Sequence, residues 1–132
     1  DMVLRIEEAN RNNGTALVAY NPVNWKCVTW EFNHVENNTY QLKNLYTGKT
    51  FQPVEAVSSI YLEQQPLLVS KKSQLYEFIS VADNQYLIRL KDTDQYLAPS
   101  DTGKTINSRI VLAKKTGGKE QLWTIYKQNP QI

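Results

Sequence analysis

The residue types that carry out acid–base, nucleophilic or metal chemistry are scarce in this chain. It has one histidine, His34, and one cysteine, Cys27, among 132 residues. No second histidine or cysteine stands at metal-ligand spacing from His34, and Cys27 lies in a strand-like run that favours burial over catalysis. Glu7 and Glu8 would point to opposite sides of an extended strand, which does not suit paired-carboxylate chemistry. With no glycine-rich phosphate loop either, the sequence predicts no enzyme, no metal and no cofactor.

Other residues suit non-covalent binding. Tyr20 and Trp25 are two large aromatic residues in a polar stretch that also holds Asn21 and Asn24. Aromatic rings grouped in a polar loop are typical of a contact surface. The alternative is packing, because Tyr20 stands two residues beyond Val18 in an alternating run and both side chains then share one face of the strand.

Composition and charge limit the class of protein. Hydrophobic residues make up 41% of the chain, and its 132 residues suffice for one core but not for two. A net charge of +2 is too small for the concentrated basic face that nucleic-acid binding needs. No apolar run approaches the roughly 18 residues that cross a membrane, and one cysteine allows no intrachain disulfide. We therefore expect a single domain, residues 1–132, that neither binds nucleic acid nor inserts into a membrane.

Short alternating apolar runs, bounded by clusters of Asn, Asp, Gly, Ser and Thr, predict an all-β barrel or sandwich. Helical periodicity is almost absent, and the stretch 7–12 is interpreted as a loop because a glycine-containing turn follows it. The predicted strands are Val3–Ile6, Ala16–Ala19, Val28–Phe32, Tyr40–Leu42, Ser59–Leu62, Leu75–Ile79, Tyr86–Arg89, Ile110–Ala113 and Leu122–Tyr126.

An internal repeat organises these strands. At an offset of 93 residues, the stretch beginning at Leu4 aligns without gaps with the stretch beginning at Leu97. The aligned positions agree in apolar, acidic and aromatic character, which argues against coincidence. The pairs include Glu8 with Asp101, Leu17 with Ile110, Val18 with Val111, Lys26 with Lys119, Trp30 with Trp123 and Phe32 with Ile125.

A middle copy lies between these two, although it needs gaps between residues 56 and 73. Tyr40-Gln41-Leu42 aligns with Tyr86-Leu87-Ile88, and Gln74-Leu75-Tyr76 corresponds to Gln121-Leu122-Trp123. Three copies that cannot bury their faces alone are expected to close around one axis. The side chains predicted to point inward there are Trp30, Tyr76 and Trp123, beside Leu4, Phe51 and Leu97.

In these motifs the chain resembles the ricin-B-like lectins, a family of β-trefoils with a Gln-x-Trp motif in each repeat. Gln121-Leu122-Trp123 carries the motif intact, Gln74-Leu75-Tyr76 changes the ring, and Val28-Thr29-Trp30 keeps only the tryptophan. The resemblance implies an all-β protein, a β-trefoil with pseudo-threefold symmetry. Its three repeats, of about 46 residues each, would span roughly 1–38, 39–84 and 85–132.

One strand of this pattern has no counterpart. Repeats two and three open with strands at Tyr40 and Tyr86, and the equivalent in repeat one would begin near position −7, by 86 − 93. The first strand of repeat one is therefore expected to be missing. The sequence leaves open whether it was trimmed, lies on another chain or never existed. We expect its position to be empty, or filled by residues Lys127–Ile132 or by a neighbouring chain.

The resemblance also implies where a sugar would bind. In this family a shallow pocket on a repeat uses an acidic residue to accept hydrogen bonds from hydroxyl groups and an aromatic residue to stack on the sugar ring. Repeat one offers Glu8 and Tyr20, with Asn21, Asn24 and Trp25 at the rim. It departs from the family at Cys27-Val28, where Asn-Gln is usual.

The other repeats fit this pattern less completely. Repeat three offers Asp101 and Gln121, but Ala113 replaces the aromatic residue, and repeat two offers Glu55 and Gln74 without an identifiable ring. The acids could instead end strands or cap turns, and the glutamines could bond backbone within the barrel. Both interpretations stay open at this stage.

The sequence thus predicts a non-catalytic carbohydrate-binding module, secreted or at the cell surface and either free-standing or part of a larger glycan-active protein. The incomplete pockets support an alternative, a protein-binding trefoil that acts as a protease inhibitor or a ligand. A third possibility is an acidic polysaccharide bound by the lysine-bearing loops.

Overall fold

The computed structural model describes residues 2–55, 59–101 and 106–132. In these residues the chain forms eleven β-strands and four short 3-10 turns, at Glu7–Ala9, Lys26–Val28, Lys72–Gln74 and Lys119–Gln121. The strands are β1 (Val3–Ile6), β2 (Leu17–Tyr20), β3 (Trp30–Glu36), β4 (Thr39–Asn44), β5 (Thr50–Glu55), β6 (Ile60–Gln65), β7 (Tyr76–Ala82), β8 (Gln85–Leu90), β9 (Gln95–Pro99), β10 (Ile110–Lys114) and β11 (Trp123–Thr124).

The strands fall into two groups that recur in each repeat. One antiparallel hairpin comes from each repeat: β1 with β2, β5 with β6 and β9 with β10. The remaining strands form a curled sheet in which β3, β4, β7 and β8 follow one another and β11 pairs with β8. Bulges interrupt the pairing at equivalent places, between His34 and Glu36 in β3 and between Ser80 and Ala82 in β7. The all-β, β-trefoil prediction is confirmed.

The ring positions confirm the repeat in atomic detail. The Trp30 indole N–H donates to the Leu4 carbonyl at 3.0 Å, and the Trp123 indole N–H donates to the Leu97 carbonyl at 3.1 Å. In repeat two the Tyr76 hydroxyl makes the equivalent bond to the Phe51 carbonyl at 3.0 Å. Each ring therefore ties the last barrel strand of its repeat to the first strand of that repeat's hairpin.

The central rings are not equally covered. Tyr76 and Trp123 are buried, with 0% and 4% of their surface exposed, whereas Trp30 is only partly buried against the core. The prediction that all three are buried is therefore wrong for Trp30. Its indole borders a groove beside β3.

Two strands were absent from the sequence prediction, and the predicted start of β3 was two residues too early. β5 contains Pro53 and β9 ends at Pro99, and proline weakens the strand signal of a sequence. Both are tolerated, since β5 is the terminal strand of the sheet order and Pro99 is the last residue of β9. Val28, predicted to open a strand, lies in a 3-10 turn, and β3 begins at Trp30.

Removing the Trp123 side chain tests the core assignment. We expect Trp123→Ala to lower the free energy of unfolding by about 3–5 kcal/mol, as large aromatic truncations in cores do. Trp25→Ala, at a half-buried loop position, serves as the control and should cost less than half as much. Urea unfolding followed by far-ultraviolet circular dichroism measures both. Equal losses in the two variants would contradict a central role for Trp123.

Burial of Tyr76 predicts a dependence of stability on alkaline pH. Its pKa is raised well above the ordinary value of 10.0 because burial desolvates the phenolate. Stability from a raised pKa is complete below the unfolded value near 10 and is lost as pH rises toward the folded value. Above pH 10 and below its raised folded pKa, Tyr76 should therefore make the protein progressively less stable as pH rises.

The Tyr76→Phe variant removes this titration. Its free energy of unfolding should fall less steeply above pH 10 than that of the parent, in urea titrations at closely spaced pH values. Tyr126→Phe is the control, because Tyr126 is exposed. Parallel pH profiles for the parent and Tyr76→Phe would contradict the prediction.

Candidate functional site

A shallow cavity of about 240 Å³ lies beside the first hairpin. Its walls come from β1, from the loop before the 26–28 turn, from the turn between β4 and β5, and from the last residue of the chain. They are lined by Arg5, Ala9, Trp25, Cys27, Tyr46 and Ile132. Two aromatic rings, a guanidinium group and small apolar groups thus meet in one pocket, a composition that suits a ligand with both apolar and polar faces.

The structure brings Tyr20 and Trp25 together, with Arg5 beside them. Their ring centroids are 6.0 Å apart with an angle of 34° between the planes. The Arg5 guanidinium carbon lies 4.2 Å from the centroid of Tyr20 and 5.9 Å from that of Trp25. Arg5 therefore occupies a face of Tyr20, a cation–π arrangement, and Trp25 is the ring that lines the cavity.

Arg5 reaches this position through simple alternation along β1. Leu4 and Ile6 are buried in the core, whereas Arg5 points to the other side of the strand and is half-buried. Its Nε–H is buried and has no hydrogen-bond partner within the described part of the chain. A buried donor without a partner is costly, and the rest of the Arg5 side chain lines the cavity.

The acidic residue of repeat one lies on a strained turn. Glu8 and its neighbour Ala9 have φ values of 55° and 53°, a left-handed conformation that costs L-residues roughly 1–2 kcal/mol each. Such strain often gathers at functional sites. Glu8 is exposed and directly precedes the cavity-lining Ala9. The turn thus places an exposed carboxylate on the residue directly before one that lines the cavity.

Asn21 and Asn24 are both exposed on the loop that connects β2 to the 26–28 turn. The Thr29 hydroxyl anchors the end of this loop by donating to the Trp25 carbonyl at 2.8 Å. The structure therefore places both asparagines on the same loop as the cavity-lining ring, within a stretch that is otherwise open to solvent.

The equivalent loops of the other repeats are tethered by a buried glutamine. Gln121 donates to the Lys114 carbonyl at 2.8 Å and accepts from the Thr116 N–H at 3.0 Å. Gln74 donates to the Pro66 carbonyl at 2.9 Å and accepts from the Leu68 N–H at 2.9 Å. The geometry thus favours a structural role for Gln121 over sugar contact. Val28 at this position cannot form such bonds.

The other two repeats present acids without a comparable pocket in the described residues. Asp101 is exposed, and its N–H donates to the Ser108 hydroxyl at 2.9 Å. Ala113, at the position of Tyr20, supplies no ring. Glu55 is exposed at the end of β5. Residues 56–58 and 102–105, which follow these two acids, lie outside the described residues.

Of the six residues that line the cavity, sequence reasoning assigned only Trp25 to the site, and the missed ones include Arg5 and Tyr46. The alternation of β1 already placed Arg5 outward. Tyr46 lies in the Asn44–Gly48 turn and is exposed, with the guanidinium carbon of Arg11 4.5 Å from its ring centroid. Its proximity to Trp25 depends on packing between two repeats, which no local pattern encodes.

The described residues show neither a metal site nor a membrane-spanning helix. No group of three or more His, Cys, Asp or Glu side chains among them is placed to hold a metal ion. Within the same residues no helix is long and apolar enough to cross a membrane.

Comparison with known proteins gives structural matches alone. No family model matches the chain, and a sequence comparison with curated proteins found no match. A designed threefold-symmetric protein, ThreeFoil, superposes with a TM-score of 0.84 at 15% identity over 93% of this chain and 89% of that one.

Two natural proteins show the same fold. An exo-β-1,3-galactanase from Clostridium thermocellum gives a TM-score of 0.83 at 16% identity, covering 93% of this chain but 27% of the galactanase. A ricin B-like lectin from Macrolepiota procera, solved with lactose, gives 0.72 at 18% identity over 93% of this chain and 85% of the lectin. The threefold ring-to-carbonyl bonds and these superpositions agree: the chain has the β-trefoil fold.

Proposed function

We propose that the protein is a carbohydrate-binding module and that the pocket of repeat one is its sugar site. The observation that carries this proposal is the meeting of Trp25, Tyr46 and the Arg5 guanidinium in one shallow cavity. A pyranose has an apolar C–H face that stacks on an indole ring, and its hydroxyl groups accept hydrogen bonds from a guanidinium group. The structural similarity to a lectin solved with lactose supports the same class of ligand.

Each residue then has a defined role. Trp25 is the stacking ring, and Tyr46 forms the opposite wall. The Arg5 guanidinium group donates to a sugar oxygen, while Tyr20 packs beside Arg5 and fixes its position. Glu8 accepts from a hydroxyl group at the rim, where Asn21 and Asn24 supply further polar contacts. Asp101 marks a second, weaker candidate in repeat three, since no ring accompanies it.

The pocket is small and open, so its affinity for a single sugar should be weak. A ligand that contacts few protein atoms gains little free energy beyond the cost of association. This predicts dissociation constants in the millimolar to high micromolar range for monosaccharides and disaccharides. Multivalent glycans should bind much more tightly only where several copies of the domain act together.

The proposed role of the protein is binding and not catalysis. We propose that the domain spans residues 1–132, carries out no catalysis and needs no cofactor. Secretion or display at the cell surface, and linkage to a larger glycan-active protein, fit such a module. The galactanase whose structure contains this fold is much longer than the part it shares with this chain.

A glycan array at low and high salt, followed by titrations of variants, tests the proposal. Binding of a neutral glycan should survive high salt, whereas charge-driven binding to acidic polysaccharide should fade. Trp25→Ala should weaken binding by about tenfold or more, which corresponds to the roughly 1–1.5 kcal/mol of a stacking ring. Glu8→Gln should weaken it less, because one hydrogen bond loses its charge.

Arg5 offers a matched control within the chain. Arg109 covers the Tyr61 ring at 4.7 Å, much as Arg5 covers Tyr20, but it does not line the pocket. Arg5→Gln should weaken binding several-fold and Arg109→Gln should leave it unchanged. If Trp25→Ala and Arg5→Gln fold normally and bind like the parent, the site lies elsewhere. If the parent binds no glycan at all, the protein-binding alternative takes first place.

A further inference from the structure

The four arginines of the chain differ in how their positive charges are balanced. Each guanidinium carbon lies over a tyrosine ring, between 4.2 and 5.9 Å from the ring centroid. Arg11 and Arg109 are exposed, so water solvates their charges. Arg5 and Arg89 are half-buried, and a charge that is partly withdrawn from water needs a compensating partner.

Arg89 has an acidic partner built into the sheet. Its Nε–H donates to the Glu77 carboxylate at 3.0 Å, and its Nη1–H donates to the Tyr96 hydroxyl at 3.5 Å. Glu77 stands directly opposite Arg89 on β7, and Tyr96 stands opposite it on β9. The charge of this half-buried arginine is therefore balanced within the protein.

Arg5 has no comparable partner. The residue opposite it on β2 is Val18, which can neither accept a hydrogen bond through its side chain nor carry a charge. The ion pairs within the described residues are Arg89 with Glu77 and Lys91 with Glu36, so Arg5 takes part in none there. Its guanidinium group lines the cavity of repeat one. The cavity thus contains a half-buried positive charge that no carboxylate of the described residues balances.

The surroundings of the cavity add to this positive charge. Lys26 lies between the lining residues Trp25 and Cys27, and the Arg11 guanidinium stacks on the ring of the lining residue Tyr46. Neither cation forms an ion pair in the part of the chain that the structure describes. A cleft that is bordered mainly by one sign of charge raises the local concentration of ligands of the opposite sign.

The arrangement around Arg5 also favours one kind of anion. A guanidinium group is a planar fork that matches the two oxygens of a carboxylate with parallel hydrogen bonds. Tyr20 and Trp25 flank the Arg5 guanidinium, which restricts its movement and reduces the entropy lost on binding. Trp25 also offers an apolar plate in the same cavity. The cavity therefore suits a ring that carries a carboxylate.

We propose that the pocket of repeat one selects an acidic sugar, a pyranose with a carboxylate of the uronic-acid type, and that Arg5 determines this preference. The inference rests on the proposed sugar site and adds the class of sugar. The carboxylate takes the place at Arg5 that Glu77 takes at Arg89, while the ring stacks on Trp25. The hydroxyl groups of the sugar then face Glu8, whose exposed carboxylate can accept from them but would repel a second acid.

Matched sugars test the preference in the unaltered protein. Galacturonate and glucuronate differ from galactose and glucose only at carbon 6, and their methyl esters restore a neutral group there. Affinities are measured at pH 7, where the carboxylate is ionised, by following the Trp25 indole N–H signal. At low salt one of the uronates should bind at least about tenfold more tightly than its neutral counterpart and its ester. This advantage should shrink in about 1 M salt.

Variants of the arginines assign the preference to a residue. Arg5→Gln should abolish the preference for the uronate, and Arg5→Lys should retain part of it, because the charge remains but the fork is lost. Arg109→Gln is the matched control, since Arg109 also covers a tyrosine ring but does not line the cavity. It should keep the full preference.

The possible failures separate this inference from the proposed function. If neutral sugars, or the esters, bind as tightly as the uronates, the acidic-sugar inference is wrong and the sugar site stands. A preference that survives in Arg5→Gln would also overturn it and would assign the acidic group to other cations, such as those of the lysine-bearing loops. If neither the neutral nor the acidic sugars bind, the proposed function fails and this inference fails with it.

Discussion

The structure depends on one hydrogen bond made three times, from a ring on the last barrel strand of each repeat to a carbonyl on the first strand of the hairpin. Trp30 and Trp123 donate an indole N–H and Tyr76 donates a phenol O–H, yet the donor–acceptor distances agree within 0.1 Å. A buried ring with a polar tip must place that tip on an acceptor. This requirement fixes how each hairpin sits on the barrel and brings the three repeats into equivalent positions.

Repeat one departs most from the threefold symmetry. Its loop differs from the loops of the other repeats because of single residues. Gln74 and Gln121 tether the loops of repeats two and three, but Val28 leaves its loop to be held by Thr29. That loop carries Trp25 to the cavity. The groove beside β3 also belongs to this repeat. A symmetric scaffold thus becomes specialised in the loop that lacks the glutamine tether, while the common core stays intact.

Much of the fold could be predicted from the sequence because equivalent buried positions carry similar residue types in the three repeats. Leu4, Phe51 and Leu97 occupy one structural position, and the offset of 93 residues found it without gaps. The partial exposure of Trp30 was not predicted, since its place in the repeat is the same as that of the two buried rings. β5 and β9 were not predicted as strands because proline weakens the local strand pattern, although a proline is tolerated at the edge or end of a sheet strand.

The site was less accessible to sequence reasoning. The aromatic residues Tyr20 and Trp25 in a polar loop indicated a binding surface. Tyr46 belongs to another repeat, and its position near Trp25 is evident only from the fold.

The most direct test of the sugar site follows the indole N–H signals of the three tryptophans in ¹H–¹⁵N spectra during titration with lactose and with the tightest glycan from the array. The Trp25 signal should move as the site fills, while those of Trp30 and Trp123, which are held by core carbonyls, stay in place. A Trp25 signal that stays in place while binding saturates would contradict the account.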